Sequence, residues 1–455
     1  MTTDMNSSPD ADSVEGAHQK SNMRKVALTA LAGASIEWYD FFLYATAAAL
    51  VFPTVFFPDS TPTVGLILSF ATFAFGFIAR PLGGIIFGHY GDRIGRKRVL
   101  VIALAMMGIA STLIGLLPTF ATIGIAAPIL LSVLRFTQGL AIGGQWGGAM
   151  LLVTESAPAD KRGYYGAFAQ AGAPVGVILA NIAFIIISAT VSEDAFMQWG
   201  WRIPFISSIL LIGISMYVQL HMEDTDAFKE LQALKEAKDA ASPEAAPVRR
   251  SPVLEALAKY PKRIALAAGA FLSIQVTFYI LIGFVLAYGG DPNGAAMSRD
   301  NMLLAILIAS VFQVIAQFLA AMYSDTHGRR GVFMLGAILT GAWAFALFPL
   351  IDTGSFWMIV LGISGGLIFL GMMYGPQAAF FTELFSTEVR YSGASLGYQI
   401  GAIIGGAFAP AIATILWVEY DIIWVSVYIA FASVLSLISV SMLTETFKTN
   451  LHDVK

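Results

Sequence analysis

The chain has 455 residues, 57% of them hydrophobic and 12% charged, with a mean hydropathy of +0.73 and a formal net charge of −4. A soluble domain carries about twice that charged fraction, so the composition excludes one and points to a polytopic membrane protein. The absence of cysteine excludes disulfides and thiolate metal sites, and no basic block suits nucleic acid.

Residues 1–24 form a polar tail without the basic, apolar and small-residue layout of a signal peptide, so the first apolar run is expected to be a retained membrane helix. A span needs about 20 apolar residues. Runs of that kind fall at 26–56, 63–90, 98–117, 122–155, 163–190, 201–221, 263–288, 302–324, 331–351, 355–384, 390–417 and 422–444, which makes twelve. Of the 26 basic residues, 22 lie on the side that would hold both ends of the chain, and the opposite loops hold only Arg299. The positive-inside rule then predicts cytoplasmic termini.

The first span carries two carboxylates, Glu37 and Asp40, three residues apart on one helical stripe with Gly33 and Tyr44. An ionised carboxylate in hydrocarbon is costly and is retained for function or for a buried ion pair. Glu37 lies about 16 Å along the helix from the cytoplasmic start of its span, and Arg80 of the second span about 18 Å from its cytoplasmic end. The matched depth predicts a pair between Arg80 and one of the acids. Such a pair can act as a proton switch, or as a static brace between helices. Arg135 of the fourth span, with Gln138 a turn away, lies further toward the outer side, and its guanidinium fork suits a carboxylate or a coupling role.

After the second span comes Gly91-Asp92-Arg93-Ile94-Gly95-Arg96-Lys97-Arg98, expected to be a tight cytoplasmic turn in which Asp92 accepts hydrogen bonds from a neighbouring helix N-terminus or an arginine. Glu155 and Arg162 provide a second layer of charge pairs. Both features echo later in the chain. Asp325 and Arg329 follow the eighth span as Asp92 and Arg93 to Arg98 follow the second. Glu383 and Arg390 repeat the spacing of Glu155 and Arg162. Two motifs repeating at nearly one offset suggest duplication of a six-span unit, with a substrate site near the midplane between the copies. The charged motifs then read as a cytoplasmic gate, or more blandly as positive-inside topology alone. Residues 222–262 form the one long polar interruption and read as a cytoplasmic linker, which divides the chain into bundles 25–221 and 263–445 and leaves 446–455 as a tail.

Four passages carry a resemblance to a known family: Ile36-Glu37-Trp38-Tyr39-Asp40-Phe41; Ala79-Arg80-Pro81-Leu82-Gly83-Gly84 leading into the Gly91 to Arg98 motif; Arg135-Phe136-Thr137-Gln138-Gly139 with Gly143-Gly144-Gln145-Trp146-Gly147-Gly148-Ala149; and Phe381-Thr382-Glu383-Leu384-Phe385 with Arg390-Tyr391-Ser392-Gly393-Ala394. The chain resembles the major facilitator superfamily, and within it the metabolite:H+ symporters, which include shikimate, organic-acid and proline/betaine carriers. The resemblance implies an all-α membrane protein of twelve helices in two pseudo-symmetric halves. It also implies alternating-access transport in the plasma membrane, with a proton gradient instead of a cofactor as the energy source. Many relatives have Glu where this chain has Gln145, which concentrates a proton role on Asp40 and Glu37. The chain also stops soon after the twelfth span, without the coiled-coil tail of the osmosensing proline/betaine carrier.

Polar and aromatic residues at comparable depth are candidate cavity contacts: Tyr39, Tyr44, Gln138, Gln145, Trp146, Gln170, Asn181, Gln275, Tyr279, Tyr374, Gln377, Tyr398 and Gln399. Each is individually as well explained by packing or an interhelical hydrogen bond. His89, His221 and His327 lie near the cytoplasmic surface, where loop roles outweigh metal binding. No phosphate-binding glycine loop, nucleophile set or metal motif points to ATP drive or an enzyme. The expected partners are a small hydrophilic metabolite, protons and the lipid bilayer, with the protein a monomer. An organic acid such as shikimate or a di- or tricarboxylate comes first, a zwitterion such as betaine or proline second, and an uncoupled facilitator third. Two unpaired arginines at mid-depth would favour a dicarboxylate, and one a monocarboxylate or zwitterion.

Overall fold

The computed structural model describes residues 9–94, 96–143, 150, 153–221, 252–386 and 390–447. Among the described residues ten helices are long and apolar enough to cross a membrane, and two shorter apolar ones bring the set to the twelve expected from hydropathy. A bilayer leaves no other course for such segments, because each backbone polar group must find its partner within the helix. The first six are α1 (Pro9–Leu50), α2 (Pro62–Ile94), α3 (Arg96–Leu116), α4 (Ala126–Gly143), α5 (Arg162–Thr190) and α6 (Arg202–His221). The second six are α7 (Pro261–Gly290), α8 (Arg299–His327), α9 (Arg329–Asp352), α10 (Phe356–Glu383), α11 (Ser392–Glu419) and α12 (Ile422–Ser441). No strand occurs among the described residues.

Glycine stripes set the packing inside each half, and they repeat. A Cβ on Gly139 or Gly143 of α4 would strike the carbonyl oxygen of Gly76 or Arg80 on α2. One on Gly172 or Gly176 of α5 would strike Ala34 or Trp38 on α1. In the second half, Gly371 and Gly375 of α10 face the carbonyls of Gln313 and Gln317 on α8, while Gly401 and Gly405 of α11 face those of Ala268 and Leu272 on α7. Lipid tails are as apolar as leucine, so close backbone approach rather than hydrophobicity selects these helix pairs. The pairs correspond between halves, α1–α5 with α7–α11 and α2–α4 with α8–α10, as duplication of a six-helix unit requires.

The halves meet where α5 packs on α8 and α10, α2 on α11, and α1 on α7. Both α7 and α11 contain a π-helical turn on this seam, at Ile280–Phe284 and Ile403–Ala407. The turn in α11 brings Gly406 so close to Tyr279 and Phe77 that a Cβ there would lie 2.9 Å and 3.1 Å from their rings. Prolines inside α2, α5 and α10 (Pro81, Pro174 and Pro376) stand beside Arg80, Ala173 and Gln377 at the same seam.

The Gly91 to Arg98 motif is helical on both sides, with α2 continuing to Ile94 and α3 starting at Arg96. Gly95 lies outside the described residues, as do the side chains of Asp92, Arg93, Arg96 and Arg98. Gln145, Trp146 and most of the linker also lie outside them.

Candidate substrate and coupling site

Asp40 is buried, and its carboxylate Oδ2 accepts hydrogen bonds from the Ser111 hydroxyl of α3 and from Gln138 Nε2 of α4 at 3.3 Å. Gln138 Nε2 also donates to Ser111 Oγ at 2.6 Å, and its Oε1 accepts from Arg135 Nη1 at 3.0 Å. The acid and the arginine are therefore joined through one neutral amide. Asp40 Oδ1 is buried without a partner.

Arg135 is held by rings. Its Cζ lies 4.1, 4.3 and 4.6 Å from the ring centres of Phe41, Tyr44 and Phe73. Gly76 makes the room, since a Cβ there would fall 2.7 Å from Arg135 Nε. Arg80 sits in a second aromatic cage, with its Cζ 4.5 Å from the ring centres of Phe41 and Phe77 and 5.4 Å from that of Trp38. Phe41 thus serves both guanidiniums. Cation–π contacts of this kind partly replace lost hydration, and gain strength in a dry site. No described carboxylate lies within salt-bridge distance of either arginine, and Nε and Nη2 of both are buried without hydrogen bonds.

This corrects the expected pairing of Arg80 with Glu37 or Asp40. Equal depth along two helices leaves the azimuth open, and the azimuth of Arg80 faces rings. Asp40 instead turns into its own half, toward α3 and α4. Ser111 belongs to this network and no sequence signal marked it.

Between the halves lies a narrow cavity lined by Trp38, Ala173, Ile274, Gln275, Phe278, Tyr279, Leu370, Tyr374 and Tyr398. Gln275, Tyr279, Tyr374 and Tyr398 are where the sequence placed cavity contacts. Arg80 stands directly behind this wall, stacked on Trp38 and sharing Phe77 with Tyr279, whose ring centre is 5.1 Å from that of Phe77. Gln275 Nε2, Gln377 Nε2 and Gln399 Oε1 are buried without partners around it. Other candidates are engaged elsewhere. Tyr39 donates to the Pro204 carbonyl at 3.4 Å, Tyr44 donates to Thr72 Oγ1 at 2.7 Å, and Asn181 donates to the Leu303 carbonyl at 3.2 Å. Gln170 Nε2 donates to Gln377 Oε1 at 3.0 Å, tying α5 to α10.

Charged links also join the two halves. At the arginine-rich end, Arg162 Nη1 of the first half pairs with Glu383 Oε1 of the second at 3.2 Å, and Arg390 Nη1 of the second with Glu155 Oε1 of the first at 3.2 Å. The charge pairs run between the repeats, with Glu155 and Arg162 each taking the other copy's counterpart. Asp325 completes the layer by accepting from the backbone N–H groups of Gly163 at 2.7 Å and Tyr164 at 2.8 Å, at the N-terminus of α5 where the helix dipole favours an anion. Arg329 Nη1 bonds Asp325 at 2.5 Å and its Nη2 reaches Glu383 at 3.3 Å, so the layer is continuous. At the opposite end Arg299 of α8 makes two 2.8 Å bonds to Glu193 of the first half, donates to Ser188 at 2.7 Å and covers the Phe196 ring at 3.9 Å.

An aromatic-lined cavity thus lies between two repeats that charged links also join across the seam. The profile of the sugar (and other) transporter family matches residues 25–454. The chain belongs to that family. It is 41% identical over 423 residues to the shikimate transporter of Escherichia coli, covering 91% of this chain and 92% of that protein. To the inner membrane metabolite transport protein YhjE of the same organism it is 39% identical, covering 93% of this chain and 94% of the relative. The proline/betaine transporter of Salmonella typhimurium is 32% identical, with 93% and 84% covered. Among solved structures, the xylose transporter XylE from E. coli in a partially occluded inward-open conformation matches 95% of this chain and all of that one, with a TM-score of 0.71 at 19% identity. The fold is therefore that of the major facilitator superfamily, and the protein is a membrane transporter of metabolites, not an enzyme.

Proposed function

We propose that this transporter takes up a small organic acid together with protons, with Asp40 as the principal proton acceptor, Glu37 as its neighbour on the same helix, and the arginine-rich end and both termini in the cytoplasm. The observation that carries the reading is the pair of arginines at mid-depth. Arg80 and Arg135 are each buried and stacked on rings, and neither has a carboxylate of the described residues within salt-bridge distance. An unpaired buried guanidinium is costly, and a substrate carboxylate supplies what it lacks. Two such groups favour an anion, and by their number a dicarboxylate, over a zwitterion. Trp38, one of the rings that line the cavity, already carries Arg80. Likeness to the shikimate transporter supports an acid as well.

In the cycle, charged Asp40 draws Arg135 through Gln138, and a protonated Asp40 relaxes that hold so that the arginine turns to the substrate. The exchanged pairs Arg162–Glu383 and Arg390–Glu155, with Asp325 and Arg329, act as the cytoplasmic latch, and Arg299–Glu193 closes the outer side. Uptake of labelled shikimate, dicarboxylates and betaine into energised vesicles tests the reading. Saturable uptake of an acid that collapses with the pH gradient is expected. Uptake of betaine alone, or of acid with no alkalinisation of the lightly buffered medium, would overturn it.

A further inference from the structure

We infer that Gln138 is a positioning residue that holds Arg135 away from Asp40 and so keeps the acid free to exchange a proton. The inference rests on the assignment of Asp40 as proton acceptor and goes beyond it. The geometry is that of a spacer. Gln138 Oε1 takes Arg135 Nη1 at 3.0 Å, while its Nε2 faces Asp40 at 3.3 Å and Ser111 at 2.6 Å. The amide thus offers its acceptor to the cation and its donor to the anion, and so bridges the two. A direct pair in this dry site would depress the affinity of the carboxylate for protons by about one to three pH units. The acid would then stay charged over the working range, and the pair would be a brace and not a switch. Two weak donors, Ser111 and Gln138, steady the anion far less than a guanidinium would.

The other groups facing Asp40 do not substitute for this control. Helix α6 presents Ser208, α3 presents Ser111, and Glu37 and Tyr39 are the titratable neighbours on its own helix, leaving Arg135 as the cation that faces it among the described residues. One turn of α4 separates Arg135 from Gln138, so a shortened side chain at 138 leaves a space that the guanidinium can enter.

The test needs no substrate. The purified full-length protein in nanodiscs is titrated with pH while infrared difference spectra follow the protonated carboxyl band, with Asp40→Asn identifying the Asp40 contribution. Gln138→Ala is expected to move the Asp40 midpoint to lower pH by about one unit or more. Gln138→Ala combined with Arg135→Gln is expected to return it to or above the wild-type value, because the shift depends on the arginine. Ser111→Ala, which removes only a donor, is expected to move the midpoint upward. Thermal unfolding of each variant establishes that it is folded. A wild-type or raised midpoint in folded Gln138→Ala overturns the spacer role. Retention of the full band in Asp40→Asn instead overturns the assignment of Asp40 itself, so the two failures are distinct.

Discussion

Neutralising Glu383 should unlatch the arginine-rich end. Its carboxylate holds Arg162 across the seam at 3.2 Å and Arg329 within its own half at 3.3 Å, and it accepts from Thr446 at 2.7 Å. Breaking a buried pair by removing one partner costs about 3–5 kcal/mol. In the proposed cycle the link that crosses the seam is the one that must break on opening, while Arg329 pairs with Asp325 at 2.5 Å within its own half. Assigning about 2 kcal/mol to the crossing link shifts the closed–open equilibrium about 30-fold, since 1.4 kcal/mol is tenfold. The chain contains no cysteine, so a single thiol reports without background. Ala173→Cys places it on the cavity wall. In inside-out vesicles, an impermeant maleimide should label Ala173→Cys about 30-fold faster when Glu383→Gln is present. Glu193→Gln gives the contrast from the other face. The side chain of Glu193 is 68% exposed, and exposed pairs are worth about 0–1 kcal/mol, so labelling in right-side-out vesicles should rise by no more than about fivefold. An unchanged rate in folded Glu383→Gln would refute the latch.

Asp40→Asn should abolish accumulation driven by a pH gradient and leave counterflow exchange within a few-fold of wild type, as measured with the same labelled acid. Arg80→Gln should raise the KM for an organic acid at least tenfold, and Arg80→Lys should restore little of it, because the cage of Phe41, Phe77 and Trp38 fits a planar guanidinium better than an ammonium. Gly143→Leu should lower the thermal stability of the purified protein, overpacking costing about 1–3 kcal/mol where α4 meets the Arg80 carbonyl, and a wild-type melting temperature would refute that close contact.

Much of the fold was legible because the bilayer allows few solutions. Apolar runs of span length located all twelve helices, and the repeated motifs located the two halves. The same repetition left the partners open. Glu155 and Arg162 were legible as a layer of charge pairs, and each bonds the other repeat's copy, because the pseudo-twofold axis brings like ends together. Depth arithmetic placed Arg80 near the acids but carried no information on helix rotation, and the rings of Phe41 and Phe77 took the guanidinium instead. Ser111 was invisible, being one hydroxyl in an apolar helix. Arg299 was noted only as the one basic residue of the outer loops, and its pairing with Glu193 depended on loops from different halves meeting.

By itself the sequence determined that this protein crosses a membrane twelve times, that it was built by duplication, and that Glu37, Asp40, Arg80 and Arg135 are charges retained against their desolvation cost. Those conclusions follow from composition, spacing and the price of ions in hydrocarbon. Only the tertiary structure decided which charges meet. It gave Asp40 to Gln138 and Ser111, Arg80 and Arg135 to aromatic cages, and the gate residues to the opposite repeat. Contact depends on helix rotation and on how closely glycine stripes let backbones approach, and neither quantity is carried by any one helix alone.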